Sequence, residues 1–167
     1  MDFPRYVKDG ETSDGKVLCI DGSTWVFNPE PEIFYANGWT DYVPTADDWK
    51  AERIEDLTSY YKTCSEHVVI DGEEVHITKA GIRDCRDMAD DLDDTGGDAV
   101  IDGYSRPVTV RQLREFIKRV RLHMNACDVV FLRKRGEIMS IDSVEGLKDY
   151  DVYSDFPLVP ELSFMSE

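Results

Sequence analysis

Leu113, Phe116, Ile117, Val120, Met124, Cys127 and Phe131 recur at steps of three and four along the chain. That spacing puts them on one side of an α-helix about five turns long, so the rest of the chain has to supply a surface to cover them. The start of the helix is marked as well. Thr109 and Gln112 stand in capping-box positions, and Val108 and Leu113 stand where a hydrophobic staple belongs. The pattern predicts a long central helix opening just after Thr109. Gly136 is expected to end or interrupt it, with Ser140 capping a short final helix from Ile141 to Tyr150.

Ahead of this helix the chain is punctuated by turns. The tripeptide Ile-Asp-Gly occurs at Ile20-Asp21-Gly22, Ile70-Asp71-Gly72 and Ile101-Asp102-Gly103, each time inside an alternating, strand-like stretch. Asp-Gly suits a tight hairpin because type I′ turns need positive φ, which Gly adopts freely and Asp tolerates. The last two copies are each followed by a Thr and an amphipathic pattern: Thr78 before Ile82, Cys85, Met88 or Ala89 and Leu92, and Thr109 before the long helix. A further helix is expected from a Thr45 cap to about Tyr61. Residues 1–44 read as a small β module, with short strands at Tyr6-Val7, Val17–Ile20 and Thr24–Phe27, a short helix over Pro31–Asn37, and an extended Trp39–Val43. The tail from Tyr153 to Phe164 is expected to be extended and packed back through Phe156, Leu158 and Phe164. The predicted class is α+β: a small N-terminal β module (1–44), then two β-hairpins packed on a long amphipathic helix with shorter helices (45–167).

Charge narrows the range of partners. With 19 basic and 35 acidic residues, the 167-residue chain carries −16, which disfavours binding to nucleic acid phosphates. The imbalance is uneven, because Arg111 to Arg135 holds eight basic and two acidic residues, leaving −22 on the remainder. One basic helix in an acidic protein either pairs with neighbours such as the Asp84–Asp98 stretch or offers Arg114, Lys118 and Arg121 to an acidic partner. Aromatic residues crowd the N-terminal module. Trp25, Phe34, Tyr35 and Trp39 either form its core or anchor a partner or glycan. No basic-then-apolar leader and no apolar run of about 18 residues is visible, so a soluble chain made in a cytoplasm is expected, with no membrane partner. Cys19, Cys64, Cys85 and Cys127 form no Cys-x-x-Cys pair and read as reduced thiols.

Chemistry-bearing patterns are sparse. Asp91, Asp93 and Thr95, followed by Gly96 and by Asp102 at the twelfth position, echo a calcium-binding loop of hard oxygen ligands. Asp in place of Glu at the twelfth position and a hairpin where a helix should follow set this pattern against a solvated helix end. His67 and His76 are near neighbours across one hairpin, without a third ligand at fixed spacing. His123 falls at the edge of the apolar stripe. With no nucleophile elbow and no phosphate loop, an enzyme is the least favoured reading and no cofactor is expected.

From Trp49 to Phe164 the order of elements resembles a domain-of-unknown-function family found in tail-fibre-associated and other virion proteins of gut bacteriophages and prophages. The resemblance rests on Arg53-Ile54-x-x-Leu57-x-x-Tyr60, Val69-Ile70-Asp71-Gly72-Glu73-Glu74-Val75, Thr78-Lys79-Ala80 and the long helix. It also takes in Ile141-Asp142-Ser143-Val144-Glu145, Tyr150-Asp151, Phe156-Pro157 and Glu161-Leu162-x-Phe164. Phe27-Asn28-Pro29 and Gly38-Trp39 look like the β module that precedes such domains. The resemblance implies a non-enzymatic virion component docked to other virion proteins in a tail, collar, fibre or capsid, and assembled as a homo-oligomer. Two rivals follow from the residues: an acidic intracellular effector such as a DNA-mimicking inhibitor, and a calcium-dependent glycan-binding module.

Overall fold

Hairpins and helices alternate along the chain, giving the α+β class expected from the turn and cap signals. The computed structural model describes residues 3–165, and these fold into two compact units. The first comprises the described residues up to Arg53 together with Ile141–Asp149, and the second comprises Ile54–Ser140 and the described residues from Tyr150 onward.

In the first unit, β1 (Tyr6–Lys8) pairs antiparallel with both β2 (Glu11–Ser13) and β5 (Thr40–Asp41). A separate ribbon joins β3 (Val17–Ile20) to β4 (Thr24–Phe27), with Val17 opposite Phe27 and Cys19 opposite Trp25. Tyr6, Leu18 and Phe34 make the core, and Phe34, from helix α1 (Pro31–Ala36), stacks on Tyr6 at 4.1 Å between ring centroids. Helix α2 (Ala46–Ser65) starts in this unit. Its cap is reciprocal: the Asp48 amide donates to Thr45 Oγ1 (3.3 Å), and the Thr45 amide donates to Asp48 Oδ2 (2.7 Å).

The second unit is built on one apolar cluster. Strands β6 (His67–Ile70) and β7 (Glu73–His76) form a hairpin around Asp71-Gly72, whose φ values of 50° and 84° are those of a type I′ turn. Helix α3 (Lys79–Thr95) is capped by Thr78, whose Oγ1 accepts the Gly81 amide at 3.1 Å. Strands β8 (Asp98–Val100) and β9 (Pro107–Thr109) lead into α4 (Val110–Ser140). The capping box forms as the sequence predicts: the Thr109 amide donates to Gln112 Oε1 (2.9 Å) and the Gln112 amide to Thr109 Oγ1 (3.3 Å). Val68, Ile70, Val75, Ile82, Ala89 and Val108 close over Leu113, Phe116, Ile117, Val120 and Met124.

Four details differ from the sequence reading. The third Ile-Asp-Gly does not make a tight turn, because six residues separate β8 from β9. Gly136 neither ends nor interrupts α4, which runs to Ser140. A 31-residue helix packed along its length carries one unfavourable residue without breaking. Ser140 therefore lies within α4, where its hydroxyl donates to the Glu137 carbonyl, and Ser143 caps α5 (Val144–Asp149) instead, accepting the Gly146 amide at 3.1 Å. Leu158 does not pack back, being 92% exposed.

The tail is held by side chains and backbone together: Phe156 packs edge-on to Tyr60 at 5.4 Å, and Leu162 and Phe164 join the apolar cluster. β10 (Glu161–Leu162) pairs parallel with β6, Glu161 opposite Val69 and Leu162 opposite Ile70. Asp71 extends the anchorage: its carboxylate accepts the Tyr104 hydroxyl (2.5 Å), the Phe164 amide (2.8 Å) and the Ser163 hydroxyl (3.2 Å). The Tyr104 hydroxyl and the Phe164 and Met165 amides hold the Asp71 carboxyl below the usual carboxylate range. A lowered folded pKa gives stability that is present above the unfolded value, near 4, and lost as pH falls through the folded value. Asp71→Asn is expected to flatten the acid limb of a stability-versus-pH curve below about pH 4. Unfolding midpoints measured from about pH 2 to pH 7 test this; identical wild-type and variant slopes would show that the clamp carries no charge-dependent stability.

Candidate functional site

Helices α3 and α4 pack side by side, and their outward faces create a basic groove. Ile82, Cys85 and Ala89 turn from α3 into the core, which leaves Arg83 and Arg86 on its flank. On α4 the same logic buries Phe116, Ile117 and Val120 and sends Arg114, Lys118 and Arg121 outward, one helical turn apart. Two depressions of about 250 and 400 Å³ share Arg86, Ile117, Arg121 and Asn125 in their walls. Ile82, Ile117 and Met124 give the first an apolar lining.

The cations around the groove are unequally engaged. Arg114 is tied to Asp93 and to Asp90 (3.2 Å), and Lys79 is tied to Asp128 (2.9 Å), which also accepts the Tyr61 hydroxyl. Arg83, Lys118 and Arg121 have no carboxylate partner within ion-pair distance among the described residues. The Asp-rich helix thus neutralises one end of the basic face, at Arg114, and leaves Lys118 and Arg121 open. Such a groove fits an anionic group attached to an apolar one.

The aromatic residues divide between core and surface. Phe34 is fully buried, which corrects the expectation that it meets a partner: α1 turns it onto Tyr6 because a module this small needs a large ring at its centre. Trp39 is half-buried, edge-on to Phe34 at 5.8 Å, and completes that core. Tyr35 is exposed and donates to Asp41 at 2.8 Å. Trp25 and Phe27 are 61% and 72% exposed. Strand alternation and register put them beside Val17 and Cys19 on the outer face of the β3–β4 ribbon, a second apolar surface.

The calcium-like residues are not brought together as a ligand set. α3 continues through Asp91, Asp93 and Thr95, so these residues are helical where a metal loop would have to curl around an ion. Thr95 Oγ1 donates to the Asp91 carbonyl (2.9 Å), Asp93 pairs with Arg114, and Asp102 lies in the loop after β8. Among the described residues no group of three or more His, Cys, Asp or Glu side chains is placed to hold a metal ion.

One pairing escaped the sequence reading. His123 is buried rather than at a boundary, and its Nε2 lies 2.8 Å from the Cys64 carbonyl and 3.6 Å from Cys127 Sγ. The i, i+4 spacing of His123 and Cys127 was the available signal. Since a carbonyl only accepts, Nε2 is the donor there and is not free to take a thiol proton. Burial pushes the Cys127 thiol up to about 11, opposite to the shift an activated nucleophile requires. His67 and His76 do face each other across β6 and β7, 5.4 Å between ring centroids, with Glu66 3.2 Å from His76.

No helix among the described residues is long and apolar enough to cross a membrane. In comparisons with protein-family models, curated proteins and solved structures, nothing matches this chain.

Proposed function

We propose that the chain is a structural or accessory protein of a bacteriophage virion, made in the host bacterial cytoplasm and built into a tail, collar, fibre or capsid. It acts by docking and not by catalysis, and the α3–α4 groove takes an acidic, partly apolar segment of a neighbouring virion protein. The observation that carries the docking reading is the set of unneutralised cations, Arg83, Lys118 and Arg121, around an apolar floor in a chain of net charge −16. In so acidic a protein, cations left without partners point to a ligand that supplies the carboxylates. The virion assignment is supported by the sequence resemblance described above, and the Trp25–Phe27 face offers a second contact.

The test is incorporation. Wild-type protein is expected in purified particles by mass spectrometry, and Arg83→Glu/Lys118→Glu protein is expected to be depleted roughly tenfold or more, as charge reversal at a complementary contact requires. Particles that never contain the protein, or that incorporate the variant equally, would overturn the proposal.

One observation favours a second reading. Asp84, Asp87, Asp91 and Asp94 are all exposed, and their spacing places them along one side of α3. A ridge of carboxylates of this kind suits an acidic effector that imitates DNA phosphates. It predicts competition with duplex DNA for a basic host enzyme, weakened by Asp87→Asn/Asp91→Asn. Absence of competition across a panel of such enzymes would remove its support.

A further inference from the structure

The outward face of α4 changes character along its length: basic at Arg114, Lys118 and Arg121, then apolar. Leu122, Val129, Leu132 and Met139 are between 55% and 67% exposed. With Asn125 and Gly136 they complete an unbroken 3-4-3-4-3 series within an arc of about 100°, opposite the buried stripe. That series has the spacing of a two-helix coiled-coil seam, and it faces solvent. Gly136 adds an independent sign. A glycine inside a helix is destabilising, and a Cβ built at Gly136 meets nothing within 4 Å, so no packing among the described residues requires it. A glycine at an exposed helix position leaves room for the close approach of another helix.

We infer that α4 pairs antiparallel with α4 of a second copy of the chain, about a two-fold axis passing between residues 130 and 131. In that register Val129 packs on Leu132 of the second copy, Leu122 on Met139, and the Asn125 side chain enters the space left by Gly136. Each layer therefore joins unlike residues of complementary size. Charge selects both the occupant and the direction. A parallel pair would set Arg114, Lys118 and Arg121 against their own copies, and like charges at a seam are repulsive. The antiparallel pair carries Arg121 to the C-terminal end of the other α4, where partial negative charge accumulates and the last turn has no basic residue of its own.

The seam from Leu122 to Met139 is about 26 Å long at about 1.5 Å per residue. A strip of that length and about 10 Å wide covers about 260 Å² per partner, well under the value of about 800 Å² for a stable interface, so the pair is a weak, concentration-dependent dimer. The contact overlaps the basic groove at Leu122 and Asn125 and lies clear of it at Val129, Leu132, Gly136 and Met139. It does not depend on a virion location.

Sedimentation equilibrium of the full chain over roughly 1–300 µM tests the pairing, with mass expected to rise from monomer toward twice that value. Val129→Glu/Leu132→Glu is expected to raise the dissociation constant at least tenfold, with circular dichroism unchanged because both residues are already exposed. A mixture of Asn125→Cys and Gly136→Cys proteins is expected to cross-link faster than either alone. A monomer at every concentration overturns the inference. So does a dimer indifferent to the Glu substitutions, faster cross-linking of Asn125→Cys with itself, or saturable binding of an added acidic helical peptide to the seam of a persistent monomer. Failure here with normal incorporation into particles leaves the groove reading standing, and the converse result removes that reading alone.

Discussion

Phe116→Ala is expected to destabilise the second unit by about 3–5 kcal/mol, the largest effect of any single truncation proposed for this chain. Phe116 is fully buried in the cluster that joins β6, β7, α3 and α4, so its removal forfeits the transfer of a large ring out of water and leaves a cavity. Neighbours such as Leu113 and Val120 lie on the same rigid helix and cannot close it. Against a total stability of about 5–15 kcal/mol for a domain, this loss would leave the unit close to unfolding at physiological temperature. Urea unfolding followed by circular dichroism reads the change directly. Phe116→Leu, which keeps most of the volume, should lose clearly less; a loss under about 1 kcal/mol for the alanine variant would mean that the unit is not organised around this ring.

Lys134→Ala is expected to cost about 2–4 kcal/mol, an unusual result for a lysine in a helix. Its side chain is buried, and Nζ donates to the Asp151 carbonyl (2.7 Å) and to Ser154 Oγ (3.0 Å) while lying 5.3 Å from the centroid of the Tyr150 ring. Hydrogen bonds from a charged donor contribute more than neutral ones, and truncation also orphans the carbonyl and strips the packed alkyl stem. Lys134→Met separates these contributions by retaining the stem and removing the ammonium. It should fall between wild type and the alanine variant, and the segment from Tyr150 to Ser154 should become the first region to exchange its amides. An alanine variant as stable as wild type would show that the ammonium only offsets its own desolvation.

Lys134 also shows where sequence reading runs out. By composition it was one of eight basic residues on a basic helix, yet its position puts it inside, whereas Lys118 and Arg121 stay open to solvent. The same division separates Phe34, taken into a core, from Trp25, left on a ribbon face, although both sit in one aromatic-rich stretch. Asp91, Asp93 and Thr95 match a metal loop as letters and a helix as backbone; the Thr78 cap and the Ile82–Cys85–Ala89 spacing decided for the helix. The candidate groove was half legible. Arg114, Lys118 and Arg121 were readable from α4 alone, but Arg83 and Arg86 required the packing of α3.

By itself the sequence determined what local physics controls: where α3 and α4 start, which face of each is apolar, the I′ turn at Asp71-Gly72, and the existence of one basic helix in an acidic chain. Caps, turns and periodicity act between residues a few positions apart, so they are written in the order of the letters. Tertiary structure alone decided the rest. Leu162 pairs with Ile70 from the far end of the chain, Tyr104 and the tail converge on Asp71, His123 meets Cys64, and α4 keeps one apolar seam uncovered. Those contacts depend on burial competition among distant segments and on hydrogen bonds that any backbone can make, and neither leaves a local pattern in the chain.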